Sequence, residues 1–317
     1  MKKLILYGAG DMFLRCFNKY IYERLKERYA IVGVVDKSAV LKDNILIPQY
    51  KTVPLIKDAF ICITSVKYYD EIKYELMMLG IDSNKILDKS FWFDFYCRQY
   101  LLLDILSGRG IEIGGPSDVF KQIYQKELTC DGVNFSKNTV WGNNLHETYK
   151  WGETNLGRQF IADGTDLSII ADETYDFLLS SNNLEHIANP LKALKEFYRI
   201  LKPGGFMYIL VPDKKYTFDH LRDYTAFEHI LEDYKENTQE DDLTHMQEIV
   251  EKHDLEMDNL AGAQEQFKER CLKNYENRCM HHHVFNSELL KKIAWYLEMK
   301  IIKNCEFNRN YFLIAQK

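Results

Sequence analysis

Arg109-Gly110-Ile111-Glu112-Ile113-Gly114-Gly115-Pro116-Ser117, RGIEIGGPS, is the stretch from which the fold is read. Ile111 and Ile113 flank Glu112 in the manner of a buried parallel strand. Gly114 and Gly115 then stop the strand in a turn where a ligand can approach the backbone closely. Two glycines after a strand suit any tight strand-to-helix turn, so the segments that follow decide the meaning of this one.

Those segments alternate. Residues 118–124 read as a helix, 128–135 as a strand ending Asn134-Phe135-Ser136, 158–162 as a strand ending at Asp163-Gly164, and 174–179 as another strand. Asn189-Pro190 opens a helix in which Leu191, Leu194, Phe197, Tyr198 and Leu201 keep helical spacing. Lys202-Pro203-Gly204-Gly205 reads as a turn, and residues 206–211 as a strand too apolar for an edge open to water. Strands alternating with helices predict a parallel sheet with crossovers. The chain's end differs: a helix over 287–297, then strands over 300–305 and 311–315 separated by five residues, which predicts an antiparallel hairpin. The fold class expected is therefore α/β, a doubly wound, mostly parallel sheet ending in an antiparallel hairpin. Between the sheet's fifth strand and the last helix, residues 219–280 form an acidic, helix-rich insertion expected to cover the ligand edge.

Upstream lies a smaller α/β unit, residues 1–90. Residues 2–7 read as a strand, Gly8-Ala9-Gly10 as a turn into a helix over 11–28, 31–35 as a second strand ending at Asp36, and 59–64 as a third. A helix over 69–79 stops at Gly80, and 85–87 reads as a last short strand. Asp36 stands where an acid meets ribose hydroxyls in a dinucleotide fold, but Phe13 replaces the third glycine of the fingerprint. Residues 91–108, rich in Phe, Trp and Tyr, read as an aromatic helical connector whose rings are core.

Composition narrows the function classes. The 317 residues suffice for two domains, and 41 basic against 47 acidic side chains, a formal charge of -6, argue against a nucleic-acid protein that works through a basic face. Seven cysteines, odd in number and without a CxxC pair, together with an N-terminus running straight into a strand, point to the cytoplasm. No apolar run approaches the ~20 residues of a membrane span, so no membrane insertion is expected. An oligomer is compatible with all of this.

In order, IEIGG, FIADGTDLS, YDFLLSSNNLEHIANPLKALKEFYRILKPGG and the closing hairpin resemble a class I S-adenosylmethionine-dependent methyltransferase, covering residues 109–317. The resemblance implies S-adenosyl-L-methionine as cofactor. It places Glu112, Gly114, Gly115 and Pro116 at the methionine end, Asn134 near the ribose with help from Asp131, and Asp163 with Gly164 and Thr165 at the adenine. Asn182 and the following Leu184-Glu185-His186 come next to the cofactor, with His186 either facing it or bracing the helix start. Residues 1–90 are similar to the short Rossmann-like domains of bacterial polysaccharide-modifying enzymes, including the nucleotide-sugar-binding domain of sugar acetyltransferases. The Pro212-Asp213-Lys214-Lys215-Tyr216-Thr217-Phe218-Asp219-His220 segment resembles that of methyltransferases from surface-polysaccharide gene clusters.

A hydroxyl's pKa lies far above neutrality, so transfer to oxygen benefits from a base, for which His220 and Asp213 lead and His282 follows. Asp219 and His220 have the alternative role of capping a helix. Lys214, Lys215 and Tyr216 are expected at the substrate. In an extended Met280-His281-His282-His283 segment, His281 and His283 share one side and are also assigned to substrate. The histidine run lacks a carboxylate at ligand spacing on a strand, so no metal is expected. The activity expected is O-methylation of a sugar or sugar nucleotide, a small-molecule acceptor. Its alternatives are a non-catalytic nucleotide-sugar-binding protein on a relict fold, or transfer to nitrogen or phosphate with Lys214 and Lys215 as an anion clamp.

Overall fold

The computed structural model describes residues 1–35, 40–42, 45–47, 58–125, 128–139 and 147–317. The chain divides into two compact units, Met1–Ile105 and Leu106–Lys317.

In the first unit β1 (Lys2–Tyr7) lies between β2 (Tyr29–Val35) and a later strand, and β3 (Val40–Lys42) pairs with β4 (Ile45–Ile47) as a separate ribbon. β5 (Phe60–Ile63) completes the parallel order β2-β1-β5. The helix expected over 11–28 is two, Asp11–Cys16 and Lys19–Lys26, because Asn18 caps the second by accepting from the Ile21 N–H at 2.9 Å. Residues 83–85 form a 3-10 turn, with a single bridge from Ile86 to Ile61 where a short strand was expected. Phe13, at the third glycine position of the fingerprint, is fully buried, its ring 4.8 Å from Phe17 and 5.7 Å from Trp92. The aromatic stretch read as a connector is the helix Phe91–Tyr100 of this first unit, with Trp92 and Phe95 buried. Asp36 lies outside the described residues.

The second unit contains β6 (Arg109–Ile113), β7 (Thr129–Asn134), β8 (Thr148–Trp151), β9 (Thr154–Ile161), β10 (Tyr175–Ser181), β11 (Leu201–Pro212), β12 (Lys300–Phe307) and β13 (Asn310–Gln316). They make one sheet in the order β12-β13-β11-β10-β6-β7-β9-β8. β11, β10, β6, β7 and β9 run parallel, and β13 is antiparallel to β11 and β12. This is the mostly parallel sheet closed by an antiparallel hairpin that the sequence predicts. Phe307 pairs with Asn310, and Asn308 and Arg309 turn between them with φ of 45° and 68°, the left-handed pair that a two-residue hairpin loop requires. β7 lies on one side of β6 and β10 on the other, so the chain winds outward from β6 and opens a crevice beyond its carboxyl end.

Two local differences have clear causes. β8 was not foreseen; it adds antiparallel to β9 and carries Tyr149 inward, 1 % exposed. The Lys202–Gly205 turn is absorbed into β11, because the C-terminal Lys317 pairs with it, Gly204 N–H to Lys317 O at 2.9 Å and Lys317 N–H to Gly205 O at 3.0 Å.

Helix Pro190–Ile200 starts where Asn189 accepts from the Lys192 N–H at 3.1 Å and Pro190 supplies a preset first turn. Its Leu191, Leu194 and Phe197 pack with Ile111, Leu178 and Ile209 of the sheet in the main core. Each such side chain contributes roughly 1.5–3 kcal/mol on burial. The insertion carries helices Phe227–Glu236, Met246–Lys252, Gln264–Leu272 and Asn274–Asn277, with its own small core of Ile249, Ala261, Phe267, Cys271 and Met280.

Candidate active site

A cavity of about 640 Å³ opens at the carboxyl ends of β6, β7, β9, β10 and β11. Its volume is in the usual range of small-molecule sites. Ile113, Val133, Phe135, Ala162 and Ile187 give it an apolar wall, while Asn134, Asp163, Asn182, Asn183, Glu185 and His281 supply polar groups. Phe218, and Glu240 and Arg278 from the insertion, complete the lining.

The glycine turn is built by close approach. Gly114 has φ +82°, and a Cβ there would stand 2.5 Å from Asn183 Oδ1. Behind it, Glu112 is fully buried and accepts from the Tyr124 hydroxyl and from the Tyr149 hydroxyl, the latter at 2.8 Å. Burial outweighs these hydrogen bonds and pushes the Glu112 carboxyl up to about 7. A Cβ on Gly115 would collide with Glu112 and Tyr149, so this carboxylate braces the loop from behind. Glu112, Gly115 and Pro116 are absent from the cavity wall, where Gly114 alone of that group contributes.

Asn134 lines the cavity and donates to the Gly115 carbonyl at 3.1 Å, tying the end of β7 to the glycine turn. Asp131, considered as its helper, is committed elsewhere: it meets Arg109 at 2.5 Å, the Tyr175 hydroxyl at 2.7 Å and the Arg158 N–H at 2.8 Å. Asp163 Oδ1 accepts from the Thr165 N–H at 2.9 Å and its hydroxyl at 2.7 Å, and Oδ2 meets Arg278 at 3.0 Å. Arg278 also reaches Glu240 at 2.7 Å and lies over the Phe135 ring at 5.2 Å. Asp163, Gly164 and Asn182 line the cavity, whereas Thr165 acts one step behind, fixing Asp163.

The proposed bases are distributed differently from the expectation. His220 pairs with Asp254 at 2.9 Å, and Asp213 caps a 3-10 turn by accepting from the Lys215 N–H at 3.1 Å; neither lines the cavity. His282 is buried against Asn274 at 2.9 Å, and burial pushes its imidazole down to about 3. His283 meets the Ala188 carbonyl at 3.1 Å, away from the cavity wall. Lys214 donates to the Arg222 carbonyl, Lys215 reaches Asp213 at 3.8 Å, and Tyr216 is exposed beneath Arg309; none of the three lines the cavity.

His281 does line it. Its Nδ1 meets Asp219, which also receives Arg222 at 3.2 Å, and all three side chains are buried. Burial would raise the Asp219 carboxyl, but His281 and Arg222 outweigh it and hold the group at about 2. Burial would lower His281, and the Asp219 charge outweighs that too, leaving the imidazole above its ordinary value. His186 stands edge-on to His281 with ring centroids 4.5 Å apart, its Nδ1 3.2 Å from the Met280 carbonyl. Glu185 beside them is 1 % exposed, with Oε2 lacking a hydrogen-bond partner, and burial pushes it up to about 7.

Residues 89–260 match the family model described as a methyltransferase domain. The chain belongs to this methyltransferase family. Residues 1–87 match a second model, described as C2185-like, N-terminal. An uncharacterized protein of Methanocaldococcus jannaschii is 33% identical over 133 residues, 42% of this chain and 56% of that protein. A ubiquinone biosynthesis O-methyltransferase of Parvibaculum lavamentivorans is 35% identical over 57 residues, 18% of this chain and 22% of the enzyme. The chain thus spans less than two thirds of the length of either curated relative. Among solved structures, a SAM-dependent methyltransferase of Methanosarcina mazei matches at 16% identity and TM-score 0.40, covering 68% of this chain and 96% of that one. One from Aquifex aeolicus matches at 11% and 0.41, covering 80% and 98%.

Membership of the methyltransferase family implies S-adenosylmethionine as cofactor, and the cavity's own residues fit it. The buried Asn183 Nδ2 on the cavity wall has no hydrogen-bond partner within the protein. A buried unpaired donor suits an acceptor on the ligand, such as a carboxylate tail, and the apolar wall suits an aromatic base. Glu240, Arg278 and Asn183 line the cavity without having been read from the sequence, and His281, assigned there to substrate, lines it with Asp219 against its Nδ1. Asn183 adjoins a recognised motif and was within reach; Glu240 and Arg278 come from the insertion, where no spacing announces them.

Proposed function

We propose that this protein moves a methyl group to a hydroxyl of a sugar or sugar nucleotide, in the cytosol, with His281 and Asp219 handling the proton. The observation that carries the proposal is a buried, carboxylate-held imidazole on the wall of the cavity beyond the glycine turn. S-adenosylmethionine, when bound, supplies an electrophilic methyl group whose sulfur departs as a neutral thioether. The protein's part is to place the acceptor and take its proton.

With Nδ1 engaged by Asp219, Nε2 is the nitrogen left to receive the hydroxyl proton. The O–H bond breaks toward Nε2 as the O–C bond forms, and the Asp219 carboxylate stabilises the resulting imidazolium. Asp163, set by Thr165, and Asn134, set on Gly115, hold the nucleoside end.

Oxygen as the acceptor atom is supported by the relative whose name is an O-methyltransferase. The sugar class rests on the likeness of residues 212–220 and of the first unit to polysaccharide-modifying proteins. Transfer to phosphate has less support, since Lys214 and Lys215 face away from the cavity.

The test is incubation with methyl-labelled S-adenosylmethionine and a panel of nucleotide sugars and free glycosides, followed by mass spectrometry. A methylated sugar that disappears with His281→Gln supports the reading. Cofactor binding without transfer to any hydroxylated acceptor would replace it with a non-catalytic nucleotide-sugar-binding protein.

A further inference from the structure

A second histidine cluster sits apart from the cavity wall. His229 lies on helix Phe227–Glu236, with Asp233 one turn later on the same face. His245 immediately precedes helix Met246–Lys252, and His283 comes from the extended segment before the last helix. The ligand atoms of the three imidazoles lie within 4.8 Å of one another. His229 Nε2 is 2.9 Å from His245 Nε2, and Asp233 Oδ2 is 3.5 Å from His229 Nε2 and 3.6 Å from His283 Nε2. Asp233 Oδ2 is buried and has no hydrogen-bond partner, while Oδ1 accepts from the Thr238 hydroxyl at 3.2 Å.

We propose that His229, His245, His283 and Asp233 form a structural site for a divalent first-row transition metal, Zn²⁺ foremost, that fastens the insertion to the histidine segment. Three clustered imidazoles, with one carboxylate beside two of them, are a nitrogen-rich set of four possible ligands, the number and donor type that tetrahedral Zn²⁺ takes. A Zn–N bond of about 2.0–2.1 Å places tetrahedral ligand atoms about 3.3 Å apart. The present separations bracket that value, so binding needs only small side-chain adjustments: His229 and His245 part slightly, and Asp233 moves in. His283 exchanges its contact with the Ala188 carbonyl, 3.1 Å away, for the metal. Thr238 holds the far oxygen of Asp233, the kind of support that orients a ligating carboxylate. The sequence reading expected no metal because the histidine run lacks a carboxylate at ligand spacing on a strand; these ligands come from three separated segments that the fold brings together.

The site is independent of the cavity chemistry, but one element is shared: His281 stands two residues before His283 in the same segment. A metal on His283 therefore fixes the strand of chain that presents His281.

The experiment uses the full chain, freed of metal with a chelator and titrated with Zn²⁺ and with Co²⁺. The proposal expects one equivalent bound per chain, visible d–d absorption of tetrahedral intensity for Co²⁺, and a melting temperature that rises on reloading. Binding should be lost in His245→Ala and kept in His186→Ala, which removes a member of the cavity cluster of Glu185, His186 and His281. Should His245→Ala fail to fold, X-ray absorption on the zinc-loaded wild type decides: three imidazoles in the zinc shell support the site, and two or fewer overturn it. No stoichiometric binding, or loss of binding in His186→Ala with retention in His245→Ala, also overturns it.

Discussion

Asp219 holds Nδ1 of His281 on the wall of the cavity, while Arg222 braces the same carboxylate from the other side at 3.2 Å and meets the His281 carbonyl at 2.6 Å. A carboxylate in this place fixes the ring's orientation and favours its protonated form. His281→Gln keeps volume and polarity but removes the proton acceptor. The expected result is a kcat lower by about 100-fold or more with KM changed little, since general-base catalysis contributes on the order of 10²–10⁴. Steady-state kinetics on the methylated acceptor check it; an equal loss in KM would make His281 a binding residue.

Glu112 offers a stability test outside the chemistry. Its carboxyl is raised in the folded protein to about 7, chiefly by burial, with the Tyr124 and Tyr149 hydroxyls opposing the shift. The native state therefore holds the proton more tightly than the unfolded chain. The associated stability is fully present below pH ~4.5, falls as pH rises through about 7, and is gone above that. The difference amounts to about 3 kcal/mol, from roughly 1.4 kcal/mol per pKa unit. Glu112→Gln, neutral at every pH and still able to accept from the tyrosines, should melt higher than wild type at pH 8, with the gap closing toward pH 5. Parallel melting curves across that range would contradict the assignment.

Gly114 tests the turn itself. At φ +82° and with Asn183 Oδ1 2.5 Å from any added Cβ, Gly114→Ala strains the backbone and displaces Asn183 from the cavity wall. The expected cost is about 1–3 kcal/mol of stability. Cofactor affinity should fall with it, measured by calorimetry on protein shown to be folded by circular dichroism. Unchanged affinity would place the cofactor away from this turn.

The sheet was legible because its signals are local: Ile111 and Ile113 around Glu112, Asn189-Pro190 opening an amphipathic helix, and two strands about a short loop at the end. That Gly114, Asn134, Asp163 and Asn182 line one cavity was legible for the same reason, since the parallel topology brings strand ends to one edge. The residues proposed to handle the proton were not. Segment 212–220 presents several titratable groups, and only the fold decides that His220 turns to Asp254 while Asp219 turns to His281, sixty-two positions away in sequence. The extended histidine run obeyed alternation only in part: His281 reaches the cavity, while His282 and His283 are drawn separately into the insertion by Asn274 and Asp233. β8 escaped notice because its four residues carry too short a pattern, although its Tyr149 completes the bracket on Glu112.

The most direct measurement is calorimetric titration of the protein with S-adenosylhomocysteine, repeated with Asp163→Ala and with Lys215→Ala. The account expects micromolar affinity in the wild type, on the order of -8 kcal/mol, lost in Asp163→Ala and unchanged in Lys215→Ala, whose side chain lies off the cavity wall. Absence of binding by the wild type, or equal affinity in Asp163→Ala, would contradict the claim that this cavity is the cofactor site.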